Sequence, residues 1–271
     1  MTRTGCRLSS FACGRAVAVI VLAALLGACA HQARGVASRD VTLDNVHYRV
    51  VTIDLAAARL DLHWRNPATG KPFSDIPTLQ AWGKAHGQRL VFAANAGIYD
   101  AHREPLGLYV ENGKALKPLN VAHGNPAAGN FSVQPNGVFA IDTAGHAAVY
   151  TTAAFAAAHI QPRIATQSGP MLVIDGRINP AFSSGSDSAK WRSGVCAPKP
   201  DRAVFVVSNS PVNFYAFARL FRDKLHCRNA LYLDGTLSQI YVNGSYYGAP
   251  AFMVKPYAGI FSVFTRAPAQ R

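Results

Sequence analysis

The sequence predicts a single α+β domain in which hairpin-rich sheets, mixed or antiparallel, form the core and a few helices cover them. Pairs of residues that tolerate positive φ recur between apolar runs, as they do in hairpin turns. Several segments alternate apolar and polar residues, which is typical of half-buried strands. Few segments have helical spacing, and the pattern does not resemble a doubly wound parallel sheet.

The first half of the domain is predicted to be mainly strands. Residues 41–64 have the β-branched content and near-alternation of strands, while residues 76–86 place Leu79 and Trp82 at helical spacing. The apolar run 90–94 then predicts a strand that opens into Asn95-Ala96-Gly97. Four hairpin turns are predicted, at Asn112-Gly113, Ala144-Gly145, Asp175-Gly176 and Asn243-Gly244.

Two more helices are predicted in the second half. An Ala-rich segment favours a helix over residues 153–159. A later helix is expected to begin with Ser210 as N-cap and Pro211 at the first helical position. Its apolar stripe is predicted to pack in the core and consists of Phe214, Phe217, Phe221 and Leu225.

The N-terminus has the features of an export signal. Arginines precede an apolar run at residues 16–26, which is too short to span a bilayer but fits a signal-peptide core. The run ends on Leu26-Gly27-Ala28-Cys29, which resembles a bacterial lipobox with Cys29 as the lipidated residue. We therefore expect a signal peptide at 1–28, a linker at 29–39, a domain at 40–271, and a lipoprotein on the periplasmic face of a membrane. The alternative is ordinary cleavage beside Ala28-Cys29-Ala30 and a soluble periplasmic protein.

The charge balance favours anionic partners. The 271 residues include 27 Lys and Arg against 14 Asp and Glu, for a net charge of +13. The basic residues are scattered and are not interleaved with aromatic residues, so nucleic acid is not an expected partner. A membrane, reached through the lipid anchor, and a phosphorylated sugar or envelope glycan are the expected partners.

Cysteine use is consistent with export. Cys196 and Cys227 are the two cysteines that follow Cys29. An oxidising periplasm permits a disulfide between them. Two free thiols remain the alternative, because the sequence does not give the distance between their Cα atoms.

Polar residues and glycines interrupt strong apolar strands at four places, where strand ends would present side chains from a rigid scaffold. Each place on its own is more typical of a turn than of a site. The four segments are Asn95-Ala96-Gly97-Ile98-Tyr99-Asp100, Gln167-Ser168-Gly169-Pro170, Lys190-Trp191-Arg192-Ser193-Gly194 and Leu233-Asp234-Gly235-Thr236-Leu237-Ser238.

Taken together and in order, these segments resemble the phosphodiester glycosidase family, in particular its bacterial exported branch. The resemblance runs from about Phe92 to Tyr241. Besides Asn95-Ala96-Gly97, it is carried by Pro105-Leu106-Gly107-Leu108-Tyr109, Gly129-Asn130-Phe131, Pro135-Asn136-Gly137-Val138-Phe139, residues 165–172, Pro211-Val212-Asn213-Phe214 and Ala230-Leu231-Tyr232-Leu233-Asp234-Gly235. Thr236 departs from the family, which commonly has a second glycine there, and so does Cys196.

The resemblance implies hydrolysis of a sugar-1-phosphodiester at its glycosidic bond, releasing free sugar and a phosphomonoester. Phosphate is a good leaving group, so one carboxylate with cationic phosphate binding could suffice. Asp234 is the predicted carboxylate, which would activate water or stabilise an oxocarbenium-like centre. The alternative interpretation is that Asp234 is a turn residue. Glu111, in a hairpin turn, is interpreted as a solvated charge.

Arg192 is predicted to bind the phosphate through its planar fork. Asn95 is predicted to act with Asp234 and Arg192 in catalysis. The other predicted substrate contacts are Gln167, Ser168, Ser193, Gly235 and Asp100, the last as a secondary carboxylate. For the amides and hydroxyls, strand-end capping is the competing interpretation.

No cofactor motif is present. His102, His123 and His159 lie far apart without metal-ligand spacing, so no metal site is predicted, although a bound divalent cation stays open. The competing function is a non-catalytic envelope lipoprotein that binds a phosphorylated or anionic glycan, which the departure at Thr236 motivates.

Overall fold

The computed structural model describes residues 1–2, 33–122, 126–234, 238–254 and 256–267. The chain divides into residues Met1–Gln32 and Ala33–Arg271, and the second unit contains the elements below. The strands are β1 (Val36–Leu43), β2 (Val46–Asp54), β3 (Asp61–His63), β4 (Gln88–Asn95), β5 (Tyr109–Glu111), β6 (Lys114–Lys117), β7 (Gly137–Asp142), β8 (Ala147–Thr151), β9 (Pro162–Ser168), β10 (Met171–Ile174), β11 (Arg177–Ile178), β12 (Ser193–Lys199), β13 (Arg202–Ser208), β14 (Ala230–Asp234), β15 (Gln239–Val242), β16 (Ser245–Gly248) and β17 (Ile260–Arg266). The helices are α1 (Ile76–Ala85), α2 (Thr152–Ala158) and α3 (Phe214–Arg219).

The strands form three sheets. The first sheet has the order β1-β2-β13-β12-β14-β10-β11, the second β16-β15-β4-β17-β3, and the third β6-β5-β9-β7-β8. Neighbouring strands in all three sheets run antiparallel. The predicted α+β class with hairpin-built sheets is confirmed.

The predicted turns lie where the sequence placed them. Asn112, Asp175 and Asn243 have φ of 47°, 47° and 48°, and the glycine that follows each also has positive φ. They connect β5 to β6, β10 to β11 and β15 to β16. Gly145, with φ of 89°, lies between β7 and β8. These turns set the register of their hairpins, because two residues in the left-handed region match the twist of paired strands.

An aromatic cluster joins the three sheets. Phe205 of the first sheet lies 5.0 Å from Phe92 and 5.1 Å from Phe261 of the second, measured between ring centroids. Phe139 of the third sheet lies 6.0 Å from Phe205 and 5.6 Å from Phe261. All four side chains are fully buried. Burying each one contributes about 1.5–3 kcal/mol, so this cluster holds the sheets against one another.

The first two helices agree with the sequence within a residue. Asp75 caps α1 by accepting a hydrogen bond from the Thr78 amide at 2.7 Å. Thr151 caps α2 in the same way through the Ala154 amide. His159, with φ of 48°, ends α2 in the left-handed conformation.

The predicted start of the third helix was wrong. Asn213, not Ser210, is the N-cap, and its side chain accepts from the Ala216 amide at 2.8 Å. The residues before it are extended because Val212 exchanges two backbone hydrogen bonds with Lys190, at 2.8 and 3.1 Å. After α3 the chain continues as a π-helical segment, Leu220–Lys224. The apolar stripe packs in the core as predicted, with Phe217 and Phe221 fully buried.

The predicted leader and its lipidation residue, Cys29, lie outside the described residues. β1 begins at Val36, which is inside the segment predicted as linker. In the described part of the chain, no helix has the length and apolarity required to cross a membrane.

A disulfide joins Cys196 of β12 to Cys227 in the structure, with their Cα atoms 6.2 Å apart. For the exported protein we predict that both cysteines are oxidised. Thiol counting under denaturing, non-reducing conditions should find neither of them reactive, and reduction should release two thiols. Two reactive thiols before reduction, in material isolated from an oxidising compartment, would contradict the bridge.

Glu111 is not the solvated charge that its hairpin position indicated. Its carboxylate accepts a hydrogen bond from the Trp64 amide at 2.6 Å. Burial raises the pKa of Glu111 to about 7, although this hydrogen bond opposes the shift. Because the folded pKa lies above the unfolded value near 4.5, the folded state binds more protons between these two pH values. The contribution of Glu111 to stability therefore falls as the pH rises from about 4.5 to about 7.

We accordingly predict that Glu111→Gln, which keeps an oxygen acceptor for Trp64, is more stable than the unmodified protein at pH 8. The advantage should shrink towards about pH 3, where Glu111 is neutral in both states. Urea unfolding at the two pH values measures it. An advantage that is independent of pH would contradict the shifted titration.

Candidate functional site

Strand ends from all three sheets converge at one place. Asn95 ends β4 of the second sheet and Ser168 ends β9 of the third. Ser193 begins β12 and is paired with Asp234, the last residue of β14, in the first sheet. The structure therefore brings together four of the residues predicted for the site.

Asn95 connects two sheets at this junction. Its Nδ2 donates to Ser193 Oγ at 3.0 Å, and its Oδ1 accepts from the Gln239 amide at 3.3 Å. Asn95 and Ser193 are both 1% exposed. Since the carboxamide is engaged by protein groups on both sides, Asn95 positions the β12 end beside Asp234.

Ser168 fixes the neighbouring backbone. Its Oγ donates to the Leu233 carbonyl at 3.1 Å and accepts from the Ile98 amide at 3.2 Å. The Asn95-Ala96-Gly97 segment packs tightly against β9, because a Cβ on Gly97 would lie 2.6 Å from the Gln167 carbonyl oxygen. This close approach explains the glycine, and the hydrogen bond from Ser168 to the Leu233 carbonyl holds the strand end that carries Asp234.

Gln167 does not face the junction with a free amide. Its Oε1 accepts from the amides of Leu108 and Asn120 at 3.0 and 2.9 Å. Its Nε2 donates to the Asn120 carbonyl at 2.7 Å and to Thr152 Oγ1 at 3.0 Å. All four hydrogen-bonding positions of the carboxamide are used, so this side chain stabilises the loop before Asn120. It does not bind sugar hydroxyls, the role that the sequence predicted for it.

Arg192 is buried, at 1% exposure, and its fork is directed into the protein. Nε donates to the Val212 carbonyl and Nη2 to the Ser188 carbonyl, both at 2.7 Å, while Nη1 reaches Tyr232 Oη at 3.4 Å. The guanidinium also stacks on Phe214, with Cζ 3.6 Å from the ring centroid. Burial lowers the pKa of Arg192 from its usual value. Because these contacts use the guanidinium donors, Arg192 does not present the open fork that was predicted to bind phosphate. It supports Tyr232 instead.

Asp234 lines a cavity of about 270 Å³ together with Ile98, Tyr99, Asp100, Ala101, Leu106, Gly129 and Asn130. We call it the Asp234 cavity. Asp234 itself is partly exposed, whereas Asn95, Ser168 and Ser193 are buried behind it. The carboxylate is thus the predicted catalytic group that meets a space open to a ligand.

Three tyrosines lie within electrostatic reach of Asp234. Burial, and next the negative charge of Asp234, raise the pKa values of Tyr99, Tyr232 and Tyr257 above 10. Their hydroxyls therefore stay protonated at ordinary pH. None of them stands out in the sequence, because a tyrosine beside an apolar strand is usually a core residue.

Asp100 forms the turn beside the cavity. Its Oδ1 accepts from the amides of His102 and Glu104, at 2.8 and 3.0 Å. It also lines a neighbouring cavity of about 550 Å³ that contains Lys117, whose ammonium pairs with Glu104. Asp100 therefore shapes the rim. Gly235, which is predicted as a substrate contact, and Thr236 lie outside the described residues.

Arg103 is a cation near this site that no motif in the sequence marks. Its charge acts to lower the pKa of Tyr99, which places it near the Asp234 cavity, and it is exposed. Within the described ranges it takes part in no salt bridge. Those ranges also contain no cluster of three or more His, Cys, Asp or Glu placed to hold a metal ion.

Comparison with known proteins gives a family match. A family model described as phosphodiester glycosidase matches residues 88–261. The chain is 36% identical over 230 residues to "Uncharacterized protein YigE" of Escherichia coli strain K12, which covers 84% of this chain and 87% of that protein.

Two solved structures have a similar fold. The catalytic domain of zebrafish N-acetylglucosamine-1-phosphodiester alpha-N-acetylglucosaminidase, auto-inhibited by pro-peptide, superposes with a TM-score of 0.59 at 16% identity, covering 86% of this chain and 83% of that one. A hypothetical protein from Synechocystis gives 0.55 at 15% identity, covering 85% and 62%. At these identities the likeness shows the fold.

Proposed function

Because this chain belongs to the phosphodiester glycosidase family, we propose that it hydrolyses the glycosidic bond of a sugar-1-phosphodiester, with Asp234 as the catalytic carboxylate. The observation that carries the proposal is the convergence of strand ends from three sheets on Asp234, which lines the Asp234 cavity. Side chains held by a rigid scaffold around a partly exposed carboxylate are typical of a catalytic site.

The reaction needs only one carboxylate. Water attacks the anomeric carbon, and the bond from that carbon to the phosphate oxygen breaks with its electron pair left on the phosphate. Asp234 accepts the proton of the attacking water or stabilises the positive charge that develops on the sugar. The products are a free sugar and a phosphomonoester, which leaves without protonation by a second acid.

We assign phosphate binding to Arg103 in place of Arg192. Arg103 is exposed, and its backbone amide donates at 3.0 Å to the carbonyl of Asp100, which lines the Asp234 cavity. The Arg192 donors are directed to two backbone carbonyls and to Tyr232. In this assignment Arg192 is a positioning residue that donates to the Tyr232 hydroxyl, whose pKa is raised in part by the charge of Asp234.

A panel of sugar-1-phosphodiesters, assayed for released sugar and phosphomonoester, tests the activity. We expect turnover of at least one member by the unmodified protein. Arg103→Ala should raise KM more than it lowers kcat, since it removes binding of the phosphate that is present before and during the reaction. Binding without turnover across the panel would favour a non-catalytic glycan-binding protein instead.

We also propose that the protein acts at the cell envelope as a lipoprotein. The support is the sequence Leu26-Gly27-Ala28-Cys29 after an apolar run. Mass spectrometry of the membrane fraction should then find a mature N-terminus at Cys29 that carries acyl chains. A soluble protein that begins after Cys29 would show ordinary signal cleavage.

A further inference from the structure

Asn130 is a neutral polar residue that lines the Asp234 cavity together with the carboxylate. It is exposed to solvent. It belongs to the 3₁₀-helical segment Pro126–Ser132, whereas Asp234 ends β14 and the lining residues 98–101 follow β4. An amide and a carboxylate are therefore brought to one cavity from different parts of the fold.

The backbone that carries Asn130 is held in place on both sides. The Gly129 carbonyl accepts a hydrogen bond from Ser132 Oγ at 2.7 Å. The Phe131 carbonyl accepts from Asn136 Nδ2 at 2.8 Å, and both of these residues are buried. Gly129 has φ of 55°, a conformation that glycine adopts without strain. A turn fixed in this way presents its side chains in a defined position, as a binding site requires.

Tyr232 orients the side chain of Asn130. The Asn130 Nδ2 donates a long hydrogen bond, of 3.4 Å, to Tyr232 Oη, to which Arg192 Nη1 also donates. Tyr232 is fully buried, so this contact directs the amide nitrogen towards the protein interior. The other polar atom of the carboxamide is Oδ1, which only accepts hydrogen bonds. Asn130 thus contributes an oriented, uncharged acceptor to the cavity that contains Asp234.

An amide oxygen distinguishes the two halves of a sugar-1-phosphodiester. A sugar hydroxyl can donate to Oδ1, whereas an ionised phosphodiester has no proton to donate and is assigned above to Arg103. We propose that Asn130 binds a hydroxyl of the sugar through Oδ1 and thereby determines which sugars the Asp234 cavity accepts. The proposal rests on the function proposed above and deepens it, because it assigns recognition of the sugar and of the phosphate to different residues.

Binding of non-hydrolysable analogues tests this contact without turnover. The probes are methyl C-glycosyl phosphonates of glucose, galactose, mannose and N-acetylglucosamine, in which a methylene group replaces the glycosidic oxygen, and their monodeoxy analogues. Calorimetric titration should show that at least one parent compound binds. Asn130→Ala should weaken that affinity about 3- to 10-fold, the loss expected for one neutral hydrogen bond. It should change little the affinity of the deoxy analogue that lacks the contacted hydroxyl.

Three further variants separate this contact from other effects. Asn130→Asp keeps an oxygen acceptor, so it should preserve the ratio of parent to deoxy affinities even though its charge repels the phosphonate. Arg103→Ala should weaken the parent and all deoxy analogues alike, because the phosphonate is common to them. Asn209→Ala replaces an exposed asparagine that does not line the Asp234 cavity, and it should leave every affinity unchanged. Because Asn130 is exposed, Asn130→Ala should also leave the Tm unchanged.

The outcomes separate the two proposals. The sugar contact is overturned if no parent compound binds or if Asn130→Ala changes no affinity. It is also overturned if Asn130→Ala weakens the parent and every deoxy analogue equally, which is the result expected for a contact to the phosphate. Turnover of a phosphodiester together with any of these results leaves the hydrolase proposal standing alone. Selective weakening by Asn130→Ala, without turnover of any phosphodiester by the unmodified protein, leaves the sugar contact and removes the hydrolase.

Discussion

Asp234→Asn is expected to lower kcat on a sugar-1-phosphodiester by about 10²- to 10⁴-fold, the usual contribution of a general base. The amide preserves the shape of the side chain but loses the charge and basicity that act in the transition state. Affinity for a non-hydrolysable analogue should be largely retained. Steady-state kinetics and a binding titration on the same preparation measure the two effects.

Asp201→Asn is the matched control, because Asp201 is an exposed aspartate in the turn between β12 and β13. It should leave kcat unchanged. If Asp234→Asn kept more than a tenth of the activity, Asp234 would not perform the chemical step, and another group at the cavity would have to be sought.

Arg192→Ala is expected to destabilise the fold by about 3 kcal/mol or more. The substitution removes three hydrogen bonds from a charged donor, to the carbonyls of Val212 and Ser188 and to the Tyr232 hydroxyl, and each such bond contributes about 1.5–3 kcal/mol. It also removes the stacking on Phe214. Relief from burying a charge offsets part of this cost. Urea unfolding measures the change in the free energy of unfolding.

Arg192→Lys should recover only part of the stability, because an ammonium cannot reach both carbonyls with the geometry of a planar fork. Arg202→Ala, at an exposed arginine of β13, is the control and should change stability little. A change below about 1 kcal/mol on Arg192→Ala, together with a loss of phosphate affinity, would restore the role predicted from the sequence.

Local features were predictable from the sequence and long-range ones were not. The Asn112-Gly113 turn depends only on the positive φ values that these two residues tolerate, so their identities are enough to predict it. The start of α3 was misplaced because Val212 pairs with Lys190, a residue more than twenty positions away. Propensity at Ser210 and Pro211 carries no information about that pairing.

The candidate site shows the same division. Sequence reasoning located Asn95, Ser168, Ser193 and Asp234, because polar residues that end apolar strands stand out from their surroundings. It could not give the direction of a side chain, so Gln167 and Arg192 were expected to face a ligand and instead face backbone carbonyls and amides. Tyr257 comes close to Asp234 only through the tertiary fold, so no local sequence pattern marks it.

The aromatic cluster at the meeting point of the sheets has a consequence for folding. The candidate site has high contact order, because its strand ends come from distant parts of the chain, and contacts of this kind are slow to form. If the packing of Phe139 on Phe205 and Phe261 is lost, the hairpins remain but the three sheets no longer hold the residues around Asp234 together. Activity would then disappear with tertiary structure, before secondary structure is lost.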